Sequence, residues 1–256
     1  MRKNEEEIKK LIQNALDSKK IISLKTFYLS DYGEMVLREI AQAVLDKLNR
    51  PELMSIVYTS AKELVINATK ANLKRIIFDE MKLDPSIPEQ YEEGMEHFRG
   101  KLLEQEIKKY KNRFIELDFP VVATFYYAPN VLNIKVKNNF TMYPAEEERI
   151  REKFRKAKSF SSLLDFFMEH GDQTEGAGMG LTMVGILLDE SGIDRHAFTV
   201  YSNEYNETAA KLEIPLDGSY VTKRSLFEQE RNKANMSHDE FRKVYKPKVF
   251  RKDFGP

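Results

Sequence analysis

The chain contains no cysteine. Disulfides, thiol nucleophiles and cysteine-ligated zinc are excluded, and a reducing compartment fits. It also lacks net charge, with Lys+Arg and Asp+Glu both at 41. No global field draws it to nucleic acid or anionic lipid, so neither partner is expected. Long hydrophobic runs are missing too. The longest, such as Leu181–Leu188, fall well short of the roughly 20 residues that cross a bilayer. The opening stretch "MRKNEEEIKKLIQNALDSKK" has no apolar core of a secretory signal. These absences predict a cytoplasmic protein without a membrane span. What is present, 256 residues of which 41% are hydrophobic, is enough for one large domain with a real core, alone or with additions.

Residues 1–50 read as a helical segment. Leu37, Ile40, Ala41, Val44, Leu45 and Leu48 recur on one helix face. A helix at 34–50 is open to two readings, a plain packing helix or a degenerate dimerisation hairpin that would make a homodimer. After Pro51 a second helix runs through "ELMSIVYTSAKELVINATKANLKRII". Residues 81–118 read as a proline-containing loop and one charged helix. "PVVATFYYAPNVLNIKVKNN" reads as a hairpin around Ala128-Pro129-Asn130, and "HAFTVYSN" and "AAKLEIPL" as two further strands. A charged helical stretch at 143–170 lies between the two pairs. Residues 217–256 form a polar tail with one helix near 225–245, and its ten Lys/Arg against six Asp/Glu make it mildly basic. The order predicts an α+β two-layer sandwich, with a mixed, mostly antiparallel sheet and helices on one face.

Two stretches carry chemistry. In "GDQTEGAGMGLTMVGILLDESG" three of the chain's eleven glycines, Gly176, Gly178 and Gly180, stand at alternate positions ahead of an apolar helix that Gly192 can end. Bare backbone at a helix N-terminus offers unpaired N–H donors and a favourable dipole to an anion, a phosphate cradle. A lid hinge is the alternative. In "KELVINATKA" Glu63, Asn67 and Lys70 lie at i, i+4 and i+7, within about 60° of one another on a helix. An amide oxygen is a hard ligand for Mg²⁺, a carboxylate one turn away can orient or deprotonate a water, and a lysine can meet a phosphate. A solvated helix face carrying a Glu–Lys pair is the alternative here.

Taken together, "ELVINATKA" resembles the N-box and "GAGMGL", through Gly176, Gly178, Met179, Gly180 and Leu181, resembles the glycine-rich G2 box of the GHKL ATPases: gyrase-type topoisomerases, heat-shock chaperones, sensor histidine kinases and mismatch-repair proteins. "TAAKLEIPL" is similar to the closing strand of histidine-kinase ATPase domains. The resemblance spans about 51–216, with 81–118 as a helical insertion between the 1–50 segment and the 217–256 tail. It implies the Bergerat-type fold and binding of Mg·ATP. Asn67 would hold the metal, Glu63 would be the general base, and Lys70 and the glycine loop would meet the phosphates. Thr208 would help hold the base, and 143–175 would be a mobile lid, whose Arg151, Lys153 and Arg155 are open to two readings, a solvated lid helix or a reach to the γ-phosphate. The output would be lid movement in signalling, or phosphotransfer to a separate protein partner, since His97, His170, His196 and His238 all lie after Glu63.

The third box of that family, Asp-x-Gly-x-Gly, is not kept. In "VKNNFTM" Asn138 stands for the aspartate, and Phe140 and Met142 for the glycines. An asparagine can accept a bond from an adenine amino group and donate from its NH₂; flipped, it would suit a base with a carbonyl, such as guanine. The same departures support a competing reading, a non-enzymatic interaction module with a degenerate nucleotide site.

Overall fold

A computed structural model describes residues 3–160, 162–170 and 179–245. Helix α1 (Glu5–Asp17) starts at a capping box made by Asn4 and Glu7. Strand β1 (Ile22–Thr26) follows, then α2 (Asp31–Lys47), capped by Ser30. A short 3-10 turn at Pro51–Leu53 leads into α3 (Met54–Glu80), 27 residues long. Three short helices come next, α4 (Pro88–Arg99), α5 (Glu104–Lys109) and α6 (Lys111–Glu116). The hairpin β2 (Val121–Ala128) and β3 (Val131–Asn138) precedes α7 (Pro144–Ala157), α8 (Leu163–His170) and α9 (Met179–Glu190). Strands β4 (Phe198–Ser202) and β5 (Thr208–Pro215) and helices α10 (Lys223–Ala234) and α11 (His238–Val244) complete the described chain.

The strands form one antiparallel sheet in the order β1-β2-β3-β5-β4. Alternation along each strand sends every second side chain to the helical layer. Ile22, Phe125, Ile134, Leu212 and Phe198 form one row across all five strands. All five are buried in the main core with Leu37, Val44, Val57, Leu64 and Val184 of α2, α3 and α9. Each such side chain contributes about 1.5–3 kcal/mol of apolar burial. This is the expected α+β layering, with a wholly antiparallel sheet. Among the described residues no helix is long and apolar enough to cross a membrane.

Three local expectations change. The 1–50 segment is not all helix. Ile22, Leu24 and Thr26 alternate with Ser23 and Lys25, a period of two that pairs β1 with β2 and brings the segment into the same sheet and core. The single charged helix of 81–118 is three helices, broken after Arg99 at the Gly100 cap and again at Tyr110. They cover the second half of α3 through a separate core of Leu73, Ile76, Ile77 and Phe78 with Tyr91, Met95, Phe98, Ile107 and Phe114. The C-terminal tail holds two helices rather than one, joined by Phe227, Phe241 and Tyr245. Its approach is tied to the opposite face of the sheet. There the buried Glu213 accepts from Lys211 Nζ at 2.6 Å, Tyr220 OH at 2.7 Å and Lys223 N–H at 3.2 Å.

Candidate functional site

Helix α3 supplies the first half of the site. Leu64, Val65 and Ala68 go into the core, so the stripe of Glu63, Asn67 and Lys70 is left on the other side of the helix. Asn67 and Lys70 line a cavity of about 560 Å³. Asn67 Nδ2 donates to the Glu63 backbone carbonyl at 2.8 Å. The helix thus uses the amide nitrogen, and Oδ1 is the atom left for a ligand.

Helix α9 brings the second half against it. At Gly180 the backbone lies so close to α3 that a Cβ would overlap the Glu63 carboxylate and stand 2.9 Å from Asn67 Nδ2. A bare backbone is what this approach requires. Met179 opens the helix, and Leu181 and Thr182 line the cavity. Gly176 and Gly178 lie outside the described residues. Glu63 is half-buried beside Gly180 and is not on the cavity wall. Burial pushes its carboxyl above the ordinary value, against the opposing charges of Lys70 and Lys62.

The cavity floor is the end of β3 and the start of β5, where Asn138 faces Thr208 across the sheet. Asn138 is buried and its Nδ2 donates twice, to the Ala68 carbonyl at 3.0 Å and to Asn72 Oδ1 at 2.6 Å. Because a backbone carbonyl can only accept, the network fixes which way the amide points. This corrects one expectation: the NH₂ is committed to α3 and cannot turn to a base. Oδ1 remains. Thr208 Oγ1 donates to the Phe140 carbonyl at 2.7 Å. Its proton is then spent, so in the 3.1 Å contact with Ser202 the serine is the donor, while Ser202 Oγ accepts from the Met142 N–H.

The loop 139–143 is therefore pinned rather than glycine-flexible. Arg75 Nη2 donates to the Thr141 carbonyl at 2.7 Å, and its guanidinium centre stands 4.5 Å from the Phe140 ring and 3.3 Å from the Tyr143 ring. Phe119 meets Phe140 edge-on. Phe140 and Met142 both line the cavity without filling it.

Helix α7 forms the facing wall. In its first turn Glu146 is buried and accepts from Lys74 Nζ, Arg75 Nη2 and the Tyr143 N–H at 2.7, 2.7 and 2.9 Å. Burial alone would raise its carboxyl, but the two cations outweigh burial and hold it below the ordinary value. Ala157 at the other end packs on Gly185 of α9. Arg151 and Arg155 are exposed and pair with Glu147 and Glu148 on their own helix. Lys153 instead lines the cavity and is drawn down to about 8, by burial first and then by Lys74, Arg149 and Lys70. The 171–175 part of the expected lid lies outside the described residues.

Sequence reasoning missed Lys74, although it continues the Asn67–Lys70 stripe by one more turn. It also missed Glu146, whose signal was an acidic residue in the first turn after a proline helix start, where it accepts from the Tyr143 N–H. Phe98 and Arg99 on α4 carried no local signal at all, because only the fold of the insertion brings them to the cavity.

No family model matches the chain, and no solved structure matches it. An uncharacterized protein of Treponema pallidum (strain Nichols) is 29% identical over 204 residues, which cover 80% of this chain and 39% of that protein. The chain thus spans about two fifths of the length of this curated relative.

Proposed function

We propose that this chain is an ATP-binding module of the histidine-kinase-like GHKL type, with a Bergerat-type fold. One observation carries the reading: the Gly180 backbone is pressed onto Glu63 and Asn67, so the two motifs that resemble the family's boxes converge. Asn67 would hold Mg²⁺ through Oδ1. One amide oxygen fits an ion that habitually keeps its waters and takes its remaining ligands from phosphate. The metal, when bound, would neutralise phosphate charge. Lys70 and Lys153 face the same volume with positive charge. Asn138 Oδ1 can accept from an exocyclic amino group such as that of adenine, while its NH₂ stays bonded to α3. Glu63, half-buried with its carboxyl raised by burial, is a stronger base than an ordinary carboxylate and is suited to take a proton. The output would be a change in the α7–α9 surface seen by a protein partner, or phosphotransfer to it.

Phe140 and Met142 at the floor favour a second reading, an interaction module with a degenerate site. The experiment separates the two. Thermal melts with and without Mg·ATP, for wild type and Asn67→Ala, are run beside saturation binding of labelled ATP. Nucleotide at 100 times its Kd stabilises a binder by about 2.7 kcal/mol, and Asn67→Ala is expected to lose that gain. No binding at millimolar nucleotide overturns the ATP reading in favour of the second.

A further inference from the structure

Lys74 and Arg75 are neighbours on α3, yet they line different cavities. Lys74 lines the one described above, and Arg75 lines a second of about 460 Å³. The two cations share one carboxylate, Glu146, at 2.7 Å each. Both are almost wholly buried, so this cluster holds one positive charge more than it matches. The surplus can be placed on Arg75. Its hydrogen bonds to Glu146 and to the Thr141 carbonyl both leave from Nη2. Nη1 is closed to bulk water and has no hydrogen-bond partner among the described residues. A charged donor left unmatched in the interior is costly, and an anion that reaches it removes the cost.

The rest of the wall fixes what that anion carries. Phe78, Leu83, Leu117, Phe119 and the Tyr143 ring are apolar surfaces, and the Tyr143 ring lies 3.3 Å from the guanidinium centre. Asp79 and Lys82 stand at the exposed rim with opposite charges, and Asp79 is 4.0 Å from Arg113. The rim therefore adds no net charge, and the Arg75 end carries one. A phosphomonoester, with about −1.5 to −2 charges at pH 7, brings more than that end can match. A carboxylate brings one, in a plane that suits the guanidinium fork. The volume lies in the lower part of the range of small-molecule sites, about 300–1,000 Å³.

The geometry points to a second ligand site, for a small monocarboxylate with an apolar body, held by Arg75 and packed against Phe78, Leu117 and Phe119. It does not depend on the nucleotide reading of the first cavity. Its anchor also pins the 139–143 loop, through the Thr141 carbonyl and the Phe140 ring, which ties the site to the floor of that cavity.

Calorimetric titration of the full chain with 3-phenylpropanoate, and with 3-phenylpropanamide as its neutral counterpart, tests it. The carboxylate is expected to bind saturably in the millimolar range or tighter. The amide is expected to bind at least about tenfold more weakly, the effect of losing a charge-assisted hydrogen bond. Leu83→Trp fills the second cavity while keeping Arg75 and Glu146, and is expected to abolish binding. Arg75→Lys keeps a charge for Glu146 without the planar fork, and is expected to weaken binding about tenfold. Should Arg75→Lys fail to fold, the amide and Leu83→Trp decide. Binding that survives Leu83→Trp belongs to the cations of the first cavity and overturns the site. Equal affinity for carboxylate and amide, wild-type affinity in Arg75→Lys, or no binding at millimolar carboxylate overturns it as well.

Discussion

Two glycines press on the same helix, and they do opposite things. Gly180 of α9 lies against Glu63 and Asn67 at the middle of α3, and Gly94 of α4 lies against Phe78 near its C-terminal end. At the first, the atoms a Cβ would meet belong to side chains that can swing. At the second, the ring is buried and boxed in by Tyr91 and Tyr143. The two halves of α3 differ in the same way. The first keeps a polar stripe over a cavity, while the second buries Leu73, Arg75, Ile76, Ile77 and Phe78 nearly all round. The polar stretch around Asn67 is open to the cavity, and the apolar stretch around Phe78 is covered.

The largest expected effect tests whether the covered end is structural. Glu146→Gln leaves Lys74 and Arg75 without a counter-charge. The side chains of both cations are about one tenth exposed. Breaking a buried pair in this way costs about 3–5 kcal/mol, and urea melts should show it at pH 7. The wild-type contribution has a definite pH sign. The Glu146 carboxyl is held below its unfolded value, so its stabilisation is present above the ordinary carboxylate range and is lost as pH falls through the folded value. A variant within about 1 kcal/mol of wild type at pH 7 would mean that the triad is not an anchor.

The glycines sharpen the contrast. Gly94→Ala forces a methyl into the Phe78 ring and is expected to destabilise by about 1–3 kcal/mol, with nucleotide binding intact at temperatures where it remains folded. Gly180→Ala gains helix propensity, about 1 kcal/mol, and displaces a mobile carboxylate. Its melting temperature should hardly move, while Mg·ATP binding is lost. The reverse pattern, binding lost at Gly94 and kept at Gly180, would dissolve the distinction between the two ends.

The same contrast explains what the sequence made legible. The Glu63–Asn67–Lys70 stripe follows from 100° per residue alone, and the glycine at 180 from the need for bare backbone. Each was readable because its cause is local. The strand Ile22–Thr26 obeyed an equally local rule but was only five residues long and lay inside a charged helical stretch. The cover of the far end was not readable. "EQYEEGMEHFRG" is an ordinary amphipathic helix, and nothing in it says that Arg99 meets a cavity or Tyr91 meets Arg149. Asn138 shows the same limit. Its residue type suggests several hydrogen-bonding roles, and only the positions of Ala68 and Asn72 choose among them.

The smallest effect concerns a charge at the open end. Lys74 has Glu146, but Lys153 has no carboxylate within salt-bridge distance among the described residues, and its pKa is drawn down to about 8. Below pH 8 the apo protein holds an unfavourable charge there. From pH 8 to 10.5 the folded state has released that proton while the unfolded chain still holds it, so stability rises with pH across this window. Lys153→Met should therefore stabilise the apo protein at pH 7. The shift sets a ceiling of about 3 kcal/mol, and solvent screening of a half-buried side chain reduces it to about 1–2 kcal/mol. The gain should fade as pH approaches 10.5. A bound polyphosphate reverses the sign, because it favours the charged lysine, takes up a proton on binding and loses affinity as pH passes through 8. Paired urea melts and nucleotide titrations at pH 7 and 9.5 read both. If Lys153→Met leaves stability unchanged at pH 7 and nucleotide affinity keeps its pH dependence in the variant, Lys153 faces solvent and the open end carries one cation fewer than its geometry assigns.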